Sequence, residues 1–125
     1  MIAADSSTWI ALLEGDSGQD AQLLERALTD RQALMIPVVL TELLSGPLLS
    51  SRAAEALSQV PMIDLEPGYW QRAGLLRAKV LSMRRKARLG DALIAQTCID
   101  RDIALLTRDK DFRAFADAAE LVLIL

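Results

Sequence analysis

No histidine occurs anywhere in the 125 residues, and Cys98 is the single cysteine. The first absence excludes a Ser-His-Asp triad, an imidazole general base and any histidine-ligated metal. The second excludes an intramolecular disulfide framework and a multi-cysteine zinc site. Aromatic residues are scarce at 4%, so the core is expected to be built from Leu, Ile, Val and Ala. No run approaches the ~18 unbroken apolar residues of a membrane span, because charges interrupt every candidate. The opening Met1-Ile2-Ala3-Ala4-Asp5 lacks a basic segment and meets an acid at once, so no secretory leader is expected and the cytoplasm is the expected compartment. Chemistry in such a chain falls to carboxylates or to a hard metal ion.

Apolar residues make up 52% of the sequence and charged residues 25%, the balance of a folded globular protein. The length suits a single domain over residues 1–125. The net charge is −3, which by itself does not point to a polyanionic partner. Its distribution qualifies that, because the charge is divided along the chain. From Gly68 to Gly90 there are seven bases and no acid, which leaves the rest of the chain at −10. Arg84, Arg85, Lys86 and Arg88 are the densest part of that stretch.

Short apolar runs alternate with segments of helical spacing. Strands are expected at Met1–Ala4, Ala33–Ile36, Met62–Leu65, Ile103–Leu106 and the terminal Leu121–Leu125, the last buried on both faces. Helices are expected from Ser6 or Ser7 as cap to near Gly15, and over Asp20–Asp30, Val38–Leu44, Ser51–Gln59, Tyr69–Met83, Asp91–Arg101 and Asp111–Ala119. This alternation predicts an α/β fold, a three-layer α/β/α sandwich around a parallel sheet of about five strands. In such sheets ligands collect beyond the carboxyl ends of the strands.

Acidic residues fall at or near those ends. Asp5 follows the first strand, Glu42 lies one turn into the helix after the second, and Asp109 follows the fourth. Asp91 opens a helix after Leu89-Gly90. Glu42 shares a helical face with Val38 and Val39, and Asp91 with Ala95 and Cys98. A carboxylate on an apolar stripe is costly without a cationic partner, and several converging carboxylates repel one another unless a divalent ion joins them. Oxygen ligands alone select Mg²⁺ or Mn²⁺. Such an ion holds phosphate oxygens and activates water, so the expected substrate is a phosphoester cut by a metal-activated water. Taken singly, Asp91 reads first as a helix cap, Asp111 as a cap of the helix carrying Phe112, and Glu42 as a side chain snorkelling from a helix edge. Ser6, Ser7 and Thr107 read as cap or turn residues or as hydroxyls orienting groups beside a site. Trp9, Tyr69 and Trp70 read as core or interface residues, and Cys98 as a small buried hydrophobe.

Four segments, in this order and spacing, resemble the PIN domain family over essentially the whole chain, and within it the VapC-like toxins of toxin–antitoxin pairs. They are Ala4-Asp5-Ser6-Ser7, Ile36-Pro37-Val38-Val39-Leu40-Thr41-Glu42-Leu43-Leu44, Leu89-Gly90-Asp91-Ala92-Leu93-Ile94-Ala95 and Leu106-Thr107-Arg108-Asp109-Lys110-Asp111-Phe112. The resemblance implies a Mg²⁺- or Mn²⁺-dependent endoribonuclease whose catalytic and metal-binding quartet is Asp5, Glu42, Asp91 and Asp109. Asp111, within the last motif, would be accessory, with Thr107 and Ser6. It implies a VapB-like antitoxin partner, for which a helix surface at Trp9, Leu12 and Leu13 offers apolar anchors, and a homodimer is the expected assembly. The bases Arg84, Arg85, Lys86 and Arg88 are assigned to RNA phosphates. Two other readings stand beside this one. The first is a PIN-like RNA- or protein-binding module without catalysis. The second is a phosphorelay receiver using Asp64, which lacks the acidic pair and the terminal lysine that such a domain needs.

Overall fold

The computed structural model describes residues 1–47 and 49–124. In chain order the elements are β1 (Ile2–Ala4), α1 (Ser6–Leu13), α2 (Gln19–Thr29), β2 (Ala33–Leu34), α3 (Pro37–Leu44), α4 (Ser51–Ser58), α5 (Tyr69–Ser82), α6 (Leu89–Arg101), β3 (Ala104–Leu106), a 3₁₀ turn (Lys110–Phe112), α7 (Arg113–Ala118) and β4 (Leu123–Ile124). The four strands are all parallel and lie in the order β2-β1-β3-β4. Chain connection runs one way from β1 to β2 and the other way from β2 to β3 and β4. Right-handed crossovers therefore put α1 and α2 on one face of the sheet and the α5–α7 group on the other. The result is the expected α/β/α sandwich, and its topological switch point lies between β1 and β3.

The expected third strand at Met62–Leu65 is reduced to a single parallel bridge, Met35 to Met62. Met35 N–H donates to Pro61 O, and Met35 O accepts from Ile63 N–H. Beyond that pair the chain leaves the sheet, so among the described residues four strands and one bridge stand where about five strands are expected. The terminal strand is an edge strand paired with β3, and Leu123 and Ile124 are only partly buried, short of the full burial expected for it. Leu125 lies outside the described residues.

Small side chains let the central strands approach their covering helices. Ala3 and Ala4 on β1, and Leu105 and Leu106 on β3, are fully buried, and Trp9, Phe112 and Phe115 are the largest of the fully buried side chains. Trp9 is consumed by the protein's own core, which removes it from the surface suggested for a partner. Pro37 sits in the first turn of α3, where its fixed φ suits a helix start and its missing N–H costs nothing. The orientation of α6 is set from α5. Tyr69 Oη donates to Leu93 O at 2.6 Å, and Arg72 makes a two-pronged contact with Asp100 at 2.6 and 3.0 Å. Tyr69 and Cys98 are buried as expected, whereas Trp70 is 66% exposed.

Candidate metal centre

Asp5 is the residue at which β1 stops and α1 begins. Its extended backbone (φ −79°, ψ 175°) turns the carboxylate onto the helix start, where Oδ1 accepts from Thr8 N–H at 3.2 Å. Asp5 therefore caps α1, and not Ser6 or Ser7. A carboxylate exactly one residue before the helix complements both the free N–H groups and the helix dipole. Ser7 Oγ donates to Oδ1 at 2.7 Å and Thr107 Oγ1 to Oδ2 at 2.7 Å. Burial pushes the Asp5 pKa up, with a smaller push from Asp109, while the bonds from Thr107, Ser7 and Thr8 oppose that rise.

The segment after β3 brings in the next two carboxylates. Thr107 Oγ1 accepts from Asp109 N–H at 2.9 Å, and Asp109 Oδ1 accepts from Asp111 N–H at 2.9 Å to cap the 3₁₀ turn. Both are local side-chain-to-backbone turns, and they hold Asp109 and Asp111 on one side of the loop. Asp91 reaches the same place from the first turn of α6, a helix opened by Leu89 after Arg88 as cap. One carboxylate oxygen from each of Asp91, Asp109 and Asp111 lies within 4.8 Å of the others. Burial, then Asp109, raises the Asp91 pKa to about 6, with Asp111 and Asp5 adding and Arg88 opposing.

Glu42 stands apart from that trio. It is exposed on α3, where Oε1 accepts from Ser6 Oγ at 2.8 Å. A Cβ at Gly90 would lie 4.0 Å from its Oε2, so Glu42 faces the α6 start that carries Asp91. Asp5 adjoins the trio through Thr107. Asp64, the phosphoacceptor of the receiver reading, lines a separate groove with Met1, Arg101 and Ile103.

The basic loop between α5 and α6 borders the trio. Lys86 Nζ is 3.2 Å from Asp111 Oδ2, and Arg85 Nη1 is 3.0 Å from Asp117 Oδ2. Arg84 turns the chain in the left-handed region (φ 59°) directly after α5. Arg84 and Arg88 form no ion pair among the described residues.

Sequence reasoning missed one network entirely. Arg108 points away from the trio and grips Asp20 through two parallel bonds of 2.7 Å and Asp16 at 3.1 Å. Thr8 Oγ1 donates to Asp20 at 2.9 Å. Chiefly through the bond from Arg108, the Asp20 pKa falls to about 2. Nothing in spacing ties Asp20 to Arg108, which are 88 positions apart.

A groove of about 410 Å³ opens between α1, α3 and α4, lined by Ile10, Leu13, Leu43 and Leu49 with Glu14 and Glu42 among its polar residues. Ile10 and Leu13, at 45% and 42% exposure, are the apolar side chains that α1 presents outward in place of Trp9.

The fold is similar to solved structures. A chain of VapBC-1 from nontypeable Haemophilus influenzae is 21% identical with a TM-score of 0.76, covering 99% of this chain and 97% of that one. A chain of VapBC2 from Rickettsia felis, solved bound to a DNA fragment from its promoter, is 20% identical with a TM-score of 0.75 over 99% and 98%. FitAcB from Neisseria gonorrhoeae is 18% identical with a TM-score of 0.73 over 100% and 97%. No curated protein matches by sequence. The family model described as "PIN domain" matches residues 2–118, nearly the whole chain from β1 through α7, and the chain belongs to the PIN domain family.

Proposed function

We propose that this PIN domain is a Mg²⁺- or Mn²⁺-dependent endoribonuclease acting as the toxin of a type II toxin–antitoxin pair. The observation that carries the reading is the meeting of Asp91, Asp109 and Asp111 beside Asp5 at the switch point between β1 and β3. Their donors are all carboxylate oxygens, which suits a hard divalent ion and no thiophilic one. Oxygens that lie within 4.8 Å of one another are compatible with a shared hard divalent ion, around which ligand oxygens stand up to roughly 4 Å apart. Asp91, Asp109 and Asp111 would hold the ion, with Asp5 beside them and Glu42 facing from α3. A bound divalent ion supplies Lewis-acid polarisation of a phosphodiester and a lowered pKa for water.

The chain's own groups do the rest. Thr107 and Ser7 keep the Asp5 carboxylate aimed, and Thr107 fixes the backbone from which Asp109 projects. Ser6 holds Glu42. Arg84 and Arg88 form no ion pair among the described residues and suit the phosphates of an incoming RNA, while Arg85 and Lys86 would first exchange theirs.

For the partner, the groove beside α1 suits an amphipathic helix, its apolar anchors at Ile10 and Leu13 and a basic residue meeting Glu14 or Glu42. The similar structures named VapBC support a VapB-like antitoxin as that helix. Trp70, Leu75 and Leu81, exposed on α5, suit a homodimer contact. The test is RNA cleavage by purified protein in Mn²⁺, in EDTA and with Asp109→Asn, followed by co-expression with the product of the neighbouring reading frame. Cleavage that EDTA and Asp109→Asn both abolish is expected. Cleavage undiminished in EDTA would overturn the metal reading, and absence of cleavage by antitoxin-free protein would favour a binding module. A neighbouring product that neither co-purifies nor inhibits would remove the toxin assignment alone.

A further inference from the structure

Arg108 sits in sequence between Thr107 and Asp109, yet its side chain belongs to the opposite layer of contacts. Its guanidinium donates from Nε to Asp20 Oδ2 and from Nη2 to Asp20 Oδ1, each at 2.7 Å, and from Nη1 to Asp16 Oδ2 at 3.1 Å. Asp20 is largely covered, with 10% of its side chain exposed. The pocket for this head group is shaped by Gly18, where an added Cβ would lie 3.1 Å from Arg108 Nη2 and 2.9 Å from Asp16 Oδ1. Bidentate contact with a covered carboxylate separates this pair from ordinary surface ion pairs.

The bonds close into a ring. Asp5 Oδ1 accepts from Thr8 N–H, Thr8 Oγ1 donates to Asp20, Asp20 accepts from Arg108, and Thr107, adjacent to Arg108, donates to Asp5 Oδ2. This ring joins the starts of α1 and α2 to the loop after β3, and two carboxylates of the site, Asp5 and Asp109, are attached to it. We propose that Arg108 is a positioning residue, a clamp that fixes the Thr107–Asp111 loop against α1 and α2 and thereby sets where the Asp109 carboxylate stands. The inference rests on the reading of this site as a divalent-metal centre.

The sign of the effect separates positioning from plain electrostatics. A positive charge next to Asp109 opposes binding of a cation, so by charge alone Arg108→Gln should tighten Mn²⁺ binding and Arg108→Lys should leave it unchanged. A clamp predicts the reverse for the first and a loss for the second, because lysine keeps the charge without the two-pronged geometry.

The experiment titrates Mn²⁺ calorimetrically into the full chain as wild type, Arg108→Gln and Arg108→Lys, and follows amide hydrogen exchange over residues 107–111 in the metal-free proteins. Both variants are expected to bind Mn²⁺ about three- to tenfold more weakly, a smaller loss than the 10–100-fold typical of groups bonded directly to metal ligands. The amides of Asp109 and Asp111 are expected to exchange faster at unchanged exchange in α5 and α6. If Arg108→Gln does not fold, Arg108→Lys carries both measurements. Tighter or unchanged Mn²⁺ binding with native exchange in the loop would overturn the clamp. A wild type that binds no Mn²⁺ would overturn the metal reading, and the exchange rates would then decide the clamp by themselves.

Discussion

Thr107 Oγ1 lies 2.7 Å from Asp5 Oδ2, joining two residues 102 positions apart, while the same oxygen accepts from Asp109 N–H at 2.9 Å. One hydroxyl thus spends its proton on the first acid of the chain and a lone pair on the backbone of another. Parallel pairing of β1 with β3 makes this possible, since Ala4 and Leu106 are register partners and both chains leave the sheet at the same level.

Replacing that hydroxyl tests the coupling. Thr107→Val keeps the shape but leaves buried Asp5 Oδ2 and the Asp109 N–H without their partner. Stability should fall by about 1–3 kcal/mol, measured by urea denaturation, and Thr107→Ser should recover most of it. A valine variant as stable as the wild type would contradict the bond's role.

The carboxylate trio predicts an asymmetry between metal-free and metal-bound protein. Because burial and Asp109 both oppose charge on Asp91, Asp91→Asn should not lower the thermal midpoint in EDTA. Mn²⁺ at a hundredfold its Kd should stabilise the wild type by about 2.7 kcal/mol, several degrees in Tm. Asp91→Asn and Asp109→Asn should lose that increment and RNA cleavage with it. An Asp109→Asn protein with the full increment would remove Asp109 from the site.

The basic loop separates into bases that form ion pairs, Arg85 and Lys86, and bases that form none among the described residues, Arg84 and Arg88. Arg84→Ala with Arg88→Ala should weaken RNA binding regardless of sequence and flatten the log–log salt slope by about 1.4, for two contacts at roughly 0.7 each on a single strand. The same double change at Arg85 and Lys86, already paired with Asp117 and Asp111, should flatten it less. Fluorescence anisotropy across a salt series distinguishes the two, and equal slopes would contradict the division.

Asp20 gives the pH dependence a direction. Its pKa falls from 3.8 to about 2 on folding, so the unfolded chain binds its proton first as the pH drops. The stability it contributes is complete above about pH 4 and is lost as the pH falls through 2. The stability difference between wild type and Asp20→Asn should be constant at pH 5–7 and shrink from pH 4 to 2. A difference independent of pH over that range would disconnect Asp20 from Arg108.

Partner binding is probed on the groove. Leu13→Asp places a charge among Ile10, Leu43 and Leu49 on an exposed position, so folding and RNA cleavage should persist while inhibition by the neighbouring gene product is lost. Co-purification followed by an RNase assay reads the outcome. Full inhibition of the variant would move the partner to another face.

The sequence by itself determined the alternation of strands and helices, because apolar runs and 3.6-residue spacing are local properties that adjacent residues carry. It also determined which acids follow strands, and that no imidazole chemistry competes with them. The parallel sheet followed from the same alternation. Only the tertiary structure decided how those acids meet. Asp111 joins Asp91 and Asp109 because the 3₁₀ turn swings it toward the start of α6, whereas Glu42 stays exposed on α3, bonded to Ser6. Whether Met62–Leu65 became a strand depended on how long the chain stayed beside β2, and one bridge was all it made. Trp9 went inward and Ile10 and Leu13 outward because the core lies on one side of α1, a rotation that a uniformly apolar helix does not specify. Arg108 and Asp20 meet across 88 residues for the same reason: charge pairs at long separation have no local pattern, and only the packing of α1, α2 and the loop after β3 brings them within bonding distance.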